Sequence, residues 1–409
     1  MSMRKQWAQL SAAPHRVMMF AGAFQLVATL LWWAVELGGR YTGLWSPMTP
    51  VVPGAWVHGI LMLYAVFPFF ILGFLMTTYP RWMGGEPITR SRYVAAFLPM
   101  AAGALLFYPA LFVSRTWLAV SAALLLAGWL TALWALYDVF RRAPARDKRY
   151  ERILNIALAV AAAGMGAWLL WLLTGRHAAL AFALHAGLWG FLLPVLVTVA
   201  HRMVPFFSVN ALPGYTVVQP GWALAVLPAG LAVHLLLELG GAQAWRVLPD
   251  AVLAATALYL SARWGLLRSF KVRLVAMLHV AFLWFGIGMT LYTIEGVLSL
   301  AGAGFSLGKA PLHALGIGFI AGMVVAMASR VTLGHSGRPL VADSFTWACF
   351  WGVNLAAVVR ILGELPATHM VLGIPLNLAA AVLWLLALTP WALRYGAMLV
   401  RPRVDGKPG

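Results

Sequence analysis

Ten histidines carry most of the chemistry open to this 409-residue chain. Neutral imidazole is a good ligand for haem iron, copper and zinc. An ionisable side chain kept inside a bilayer is costly and marks a pathway or a ligand site. Competing chemistries are scarce. Asp and Glu number 11, and Glu36, Asp138, Glu238, Glu295 and Glu364 all fall near span ends, so the string of buried carboxylates that a proton pump needs is missing. The single cysteine, Cys349, excludes an intramolecular disulfide framework and any Cys-based zinc or iron-sulfur cage. His-Glu-x-x-His, glycine-rich phosphate-loop and Cys-x-x-Cys-His patterns are all lacking, so any haem is held non-covalently.

The spacing of the histidines is informative. His58, His185 and His313 are separated by 127 and 128 residues. Leu184-His185-Ala186, Gly190-Phe191 and Arg202 recur at the same offsets as Leu312-His313-Ala314, Gly318-Phe319 and Arg330. The first copy keeps only the histidine and an aromatic residue six positions on, Tyr64. This periodicity predicts one integral membrane domain over 1–409 with repeats at about 14–140, 141–270 and 271–399, arranged as three four-helix units about a pseudo-threefold axis. A second likeness, Glu36-Leu37-Gly38-Gly39 against Glu238-Leu239-Gly240-Gly241, fits no such period and is coincidental.

Depth divides the histidines. His185 and His201 are 16 residues apart, about 24 Å along a helix, and so lie at opposite ends of one span. The outer group is His58, His185, His234 and His313; the inner group is His15, His201, His279 and His335; His177 and His369 fall in outer loops and are read as solvated. His58 and His313 can serve as an axial haem pair, and His185 with His234 can hold copper or a second iron. The inner four stand in polar stretches, Pro14-His15-Arg16, His201-Arg202-Met203 and Ser329 to Arg338. They can hold a second metal, or an anion through the neighbouring arginines, or simply cap helix carbonyls and meet lipid phosphate. Phe67, Phe69, Phe70 and Phe74 with Met62 and Met76 could wall a porphyrin, although ordinary packing is the simpler reading.

The elements that must position these groups are membrane helices. The chain is 63% hydrophobic and 10% charged, against about 25% charged residues in soluble domains, which excludes a soluble globular protein. At roughly 20 residues per span, apolar runs at about 17–37, 55–79, 93–113, 116–138, 153–173, 178–200, 221–239, 247–267, 274–298, 310–329, 344–363 and 371–393 predict an all-α polytopic membrane protein with twelve transmembrane helices. No cleavable signal peptide is expected ahead of the first run. Of the 29 Lys and Arg, only Arg40, Arg115, Arg176, Arg246, Lys309 and Arg360 fall on one face; the other 23, Lys407 among them, share the opposite face with both termini. The positive-inside rule makes that face cytoplasmic. The net charge of +18 therefore reports orientation, and nucleic acid is excluded as a partner.

Several segments resemble the NnrS family: Ala13-Pro14-His15-Arg16; Phe67-Pro68-Phe69-Phe70 with Gly73-Phe74; Thr77-Thr78-Tyr79-Pro80-Arg81-Trp82; His201 to Phe207; and Ser329 to Arg338. The resemblance implies a haem-containing, and as a second metal copper-containing, protein of the bacterial cytoplasmic membrane with twelve spans, acting in nitric oxide metabolism and nitrosative stress. Its ligand would be nitric oxide or a related small molecule. One departure is Val57-His58-Gly59-Ile60, with a single histidine where similar proteins often have His-x-His-Glu. A more distant likeness is to the haem-copper oxidase catalytic subunit, nitric oxide reductases included, whose metal ligands stand on the second, sixth, seventh and tenth helices. His58, His185, His234 and His313 fall on the corresponding runs, but a second histidine near His313 and an adjacent pair at His234 are missing. The alternatives are thus a nitric oxide reductase-like enzyme and, against the four-helix period, a twelve-helix solute transporter.

Overall fold

The computed structural model describes residues 3–365, 369–371 and 373–406. Lys407, counted above with the basic face, and Leu372, in the last apolar run, lie outside the described residues. A short helix α1 (Met3–Leu10) precedes α2 (Pro14–Tyr41), which begins with proline in its first turn, where no intrahelical N–H is lost. There follow α3 (Gly54–Met83), α4 (Arg90–Val113), α5 (Arg115–Arg142), α6 (Arg149–Thr174), α7 (His177–Ala211) and α8 (Gly221–Leu239). After a 3-10 turn, Gln243–Arg246, come α9 (Val247–Arg263) and the one-turn α10 (Leu266–Ser269). The series ends with α11 (Arg273–Leu300), α12 (Ala310–His335), α13 (Ser344–Leu362) and α14 (Leu376–Val400). The only strands among the described residues are β1 (Met370–Val371) and β2 (Ile374–Pro375), a minimal antiparallel hairpin before α14.

Each of the twelve apolar runs corresponds to a helix, and eleven of these are long and apolar enough to cross a membrane. The remaining one, α9, has 17 residues, which at 1.5 Å per residue is about 25 Å, and it stops at Arg263 rather than continuing to 267. The protein is an all-α, multi-pass membrane protein.

The described residues form two compact units. One contains residues 3–192, 331–339 and 392–406; the other contains 193–330, 340–365, 369–371 and 373–391. In the first, α4 and α5 are joined through glycines. A Cβ on Gly103 would lie 2.7 Å from the Ser121 carbonyl oxygen, and one on Gly128 would lie 2.5 Å from that of Ala96. With no side chain at either position the backbones meet, and the Ser121 hydroxyl donates to the Gly103 carbonyl at 2.7 Å. In the second unit, α9 packs against α11 and α8, and α11 against α12.

Helix starts follow capping chemistry. The Ser114 hydroxyl accepts the Trp117 N–H ahead of α5. The Asp343 carboxylate accepts both the N–H and the hydroxyl of Thr346 at 2.9 Å ahead of α13. Asp343→Ala is expected to cost about 1 kcal/mol, read as a lowered thermal midpoint in detergent micelles; an unchanged midpoint would show that this cap contributes nothing.

Three stretches depart from α geometry. Residues Met62–Val66 of α3, Ala186–Leu192 of α7 and Ala314–Ala321 of α12 are π-helical. Such stretches are rare and tend to occur at functional sites.

Candidate functional site

The π stretches accompany three of the four outer histidines. His185 is the last α-helical residue before the second π stretch, His313 holds the same position before the third, and His58 precedes the first by four residues. In the first unit the helices carrying His58 and His185 touch: a Cβ on Gly59 would lie 3.2 Å from Leu184 Cδ2. The buried Tyr64 hydroxyl also donates to the Ala183 carbonyl at 2.6 Å. The His58 ring lies flat on the Trp33 indole, 4.6 Å between centroids and 9° between planes. Arg40 stands over the other part of this group, 5.8 Å from the Trp33 ring, and pairs with the buried Glu36. Stacking of this kind fixes the imidazole plane before any ligand arrives.

In the second unit His234 is 0% exposed and its Nδ1 lies 2.6 Å from Oδ1 of Asp250, itself 1% exposed. With the carboxylate accepting, Nδ1 is the donor of this bond and Nε2 is the nitrogen turned away from it. That is the arrangement of a metal-ligating histidine oriented by a carboxylate. Tyr292 presents its ring edge-on to the imidazole at 5.6 Å. His313 sits at the start of α12 with Nδ1 2.9 Å from the Lys309 carbonyl. The pairings expected from sequence, His58 with His313 and His185 with His234, each take one histidine from either unit.

The inner histidines divide as well. His15 and His335, both of the first unit, have ring centroids 4.4 Å apart. His201 and His279 belong to the second unit: His201 Nε2 lies 3.1 Å from the Pro220 carbonyl, and His279 Nε2 lies 2.8 Å from the Ser208 hydroxyl. Among the described residues, no three of His, Cys, Asp and Glu come together as a group that could hold a metal ion.

A family model described as NnrS protein matches residues 9–403, nearly the whole chain. The chain belongs to the NnrS family. No curated protein matches it. For an NnrS chain of this sequence, the residues that composition and spacing overlooked are the supports rather than the histidines. Asp250 lies 16 positions from His234 in a different helix, and nothing in its local sequence announces the contact. Trp33 is one of 20 tryptophans, and only its position on α2 singles it out. The Glu36 and Arg40 pair, by contrast, has the i, i+4 spacing of a helix-surface ion pair and is legible in sequence.

Proposed function

We propose that this NnrS protein binds haem b non-covalently through its outer histidines and acts in the response to nitric oxide or nitrosative stress. The observation that carries this reading is the recurrence of a π stretch directly after His185 and His313 and four residues after His58. Family membership supports the link to nitric oxide. It works in a bacterial cytoplasmic membrane with both termini in the cytoplasm, an orientation supported by the distribution of basic residues.

The donor set fits a haem, which needs one or two imidazoles. A three-histidine copper centre needs three converging ligands, and the described residues supply no such group. His58, His313 and His185 are the residues that would hold the haem, and His185 and His234 those that would hold copper. Haem supplies an iron to which nitric oxide coordinates. The protein's part is to hold the imidazoles in fixed planes, through Trp33 at His58 and through Asp250 at His234. Binding, redox exchange or delivery of nitric oxide at that iron is favoured over a complete reductase, because His313 lacks a second histidine two residues away and His234 lacks an adjacent one.

Protein extracted from haem-replete cells is expected to show a Soret band that shifts on addition of nitric oxide. His58→Ala or His313→Ala should remove most of that band while leaving the elution profile of the folded protein unchanged. A colourless wild-type preparation, or a band indifferent to both substitutions, would overturn the assignment.

A further inference from the structure

The inner end of the first unit gathers basic side chains from four places in the sequence. His15 and Arg16 open α2, Arg81 lies in the last turn of α3, His335 ends α12, and Arg403 comes from the segment after α14. The two imidazoles are in ring contact at 4.4 Å. Arg16, Arg81 and Arg403 are the charges that act on both of them. The Arg403 guanidinium donates to the His335 carbonyl at 3.2 Å. Thr77, one turn before Arg81, accepts the His15 backbone N–H at 3.2 Å and so ties the start of α2 to the end of α3. The chain after α14 is fastened over the group: the Val404 N–H donates to the Ser336 carbonyl at 3.0 Å, and Gly337, with φ of 73°, leaves space that Asp405 occupies.

Two features separate this cluster from ordinary helix capping. First, Arg16 is 1% exposed, yet only its Nη1 is engaged, with the carbonyls of Leu399 and Arg401 at 2.9 Å; its Nε is buried and has no hydrogen-bond partner. The Nη1 of Arg338, three residues beyond His335, is buried without a partner too. A buried N–H of a permanent cation left unpaired is costly, and the Nε of Arg16 marks a missing acceptor within this cluster. Secondly, the charge balance is one-sided. Among the described residues Arg16 and Arg81 have no carboxylate partner. Arg403 alone has one, Asp405, whose hydrogen bond at 2.8 Å holds the guanidinium above its usual pKa.

We infer that this cluster is a binding site for an oxyanion of the phosphate type, received by the guanidinium of Arg16 with Arg81 and Arg403 around it. Planar guanidinium forks match such an anion. A metal cation between His15 and His335 would instead face three guanidinium groups with only one nearby carboxylate. The inference is independent of the haem assignment, since it concerns other residues and a readout that needs no haem.

The test uses the full chain in detergent, with inorganic phosphate as one probe and nanodiscs containing phosphatidylglycerol as the other. Phosphate is expected to raise the thermal midpoint in a saturable way, and Arg81→Gln and Arg403→Gln should each weaken its affinity at least tenfold. Arg16→Gln should do the same, but it also cuts two carbonyl bonds, so the Arg81 and Arg403 variants decide the outcome. If phosphate is without effect while phosphatidylglycerol stabilises the wild type and not these variants, the site holds and its anion is a lipid headgroup. Stabilisation by neither probe, or equal responses from wild type and both variants, overturns it. Stoichiometric zinc or copper binding lost in His15→Ala and His335→Ala would also overturn it, in favour of a metal site.

Discussion

Removing the Asp250 carboxylate is expected to destabilise the protein by about 1–3 kcal/mol, the usual cost of taking the acceptor from a buried hydrogen-bond donor. Asp250→Ala removes a carboxylate 2.6 Å from a fully buried imidazole, against which Tyr292 is also packed. The matching double variant, His234→Phe with Asp250→Leu, should recover most of the loss, because apolar replacements of a buried pair are often neutral or stabilising. Unfolding in mixed micelles of the two single variants and the double variant gives the coupling directly. If the double variant loses as much as the two singles together, the pair is not the stabilising unit proposed. Should His234 also ligate a metal, the double variant will keep its fold while its metal content falls, which separates the structural role from the binding role.

The second large effect concerns the α4 and α5 contact. Gly128→Leu should cost about 3 kcal/mol or more, at the top of the range for overpacking. The atoms a side chain would meet are mostly backbone: the Ala96 carbonyl oxygen at 2.5 Å and the Met100 nitrogen at 2.8 Å, with the Met100 side chain beside them. Backbone cannot move aside unless the helices part. Gly166→Leu is the matched control, since a Cβ there meets nothing within 4 Å, and a change within about 0.5 kcal/mol is expected. Equal losses at both positions would mean that glycine is not what sets the approach of α4 to α5.

Helix existence was legible because membrane spans leave long apolar runs, and the twelve runs each correspond to a helix. Helix ends were less so. The run ending at 200 continues as helix to Ala211, and the run ending at 329 continues to His335. In both places the sequence turns polar while the backbone stays helical. Arg330 remains because its guanidinium lies over the Phe207 ring at 4.0 Å, and Ser329 because its hydroxyl accepts the Trp391 indole N–H at 2.9 Å. Such partners stand tens of residues away, where hydropathy has no view of them.

Among the histidines, spacing alone identified the outer trio that the π stretches accompany. Spacing could not reveal that His15 and His335, 320 positions apart, share a ring contact. The motif Gly334-His335-Ser336-Gly337-Arg338 was visible as a polar island; its partner, the segment after α14, was not. Contacts between chain ends leave no periodic trace.

The π stretches also act as phase setters. Each accommodates additional residue within the turns of an otherwise α-helical rod, and in an α-helix every residue advances the azimuth by about 100°. In α3 the outer His58 and the inner Arg81 lie on either side of Met62–Val66. Deleting one residue there would leave both side chains on the same helix, at nearly the same depths, but aimed in different directions. The wide turn therefore works as a rotational spacer: it lets one rod present an imidazole at one end and a guanidinium at the other without either helix end having to bend.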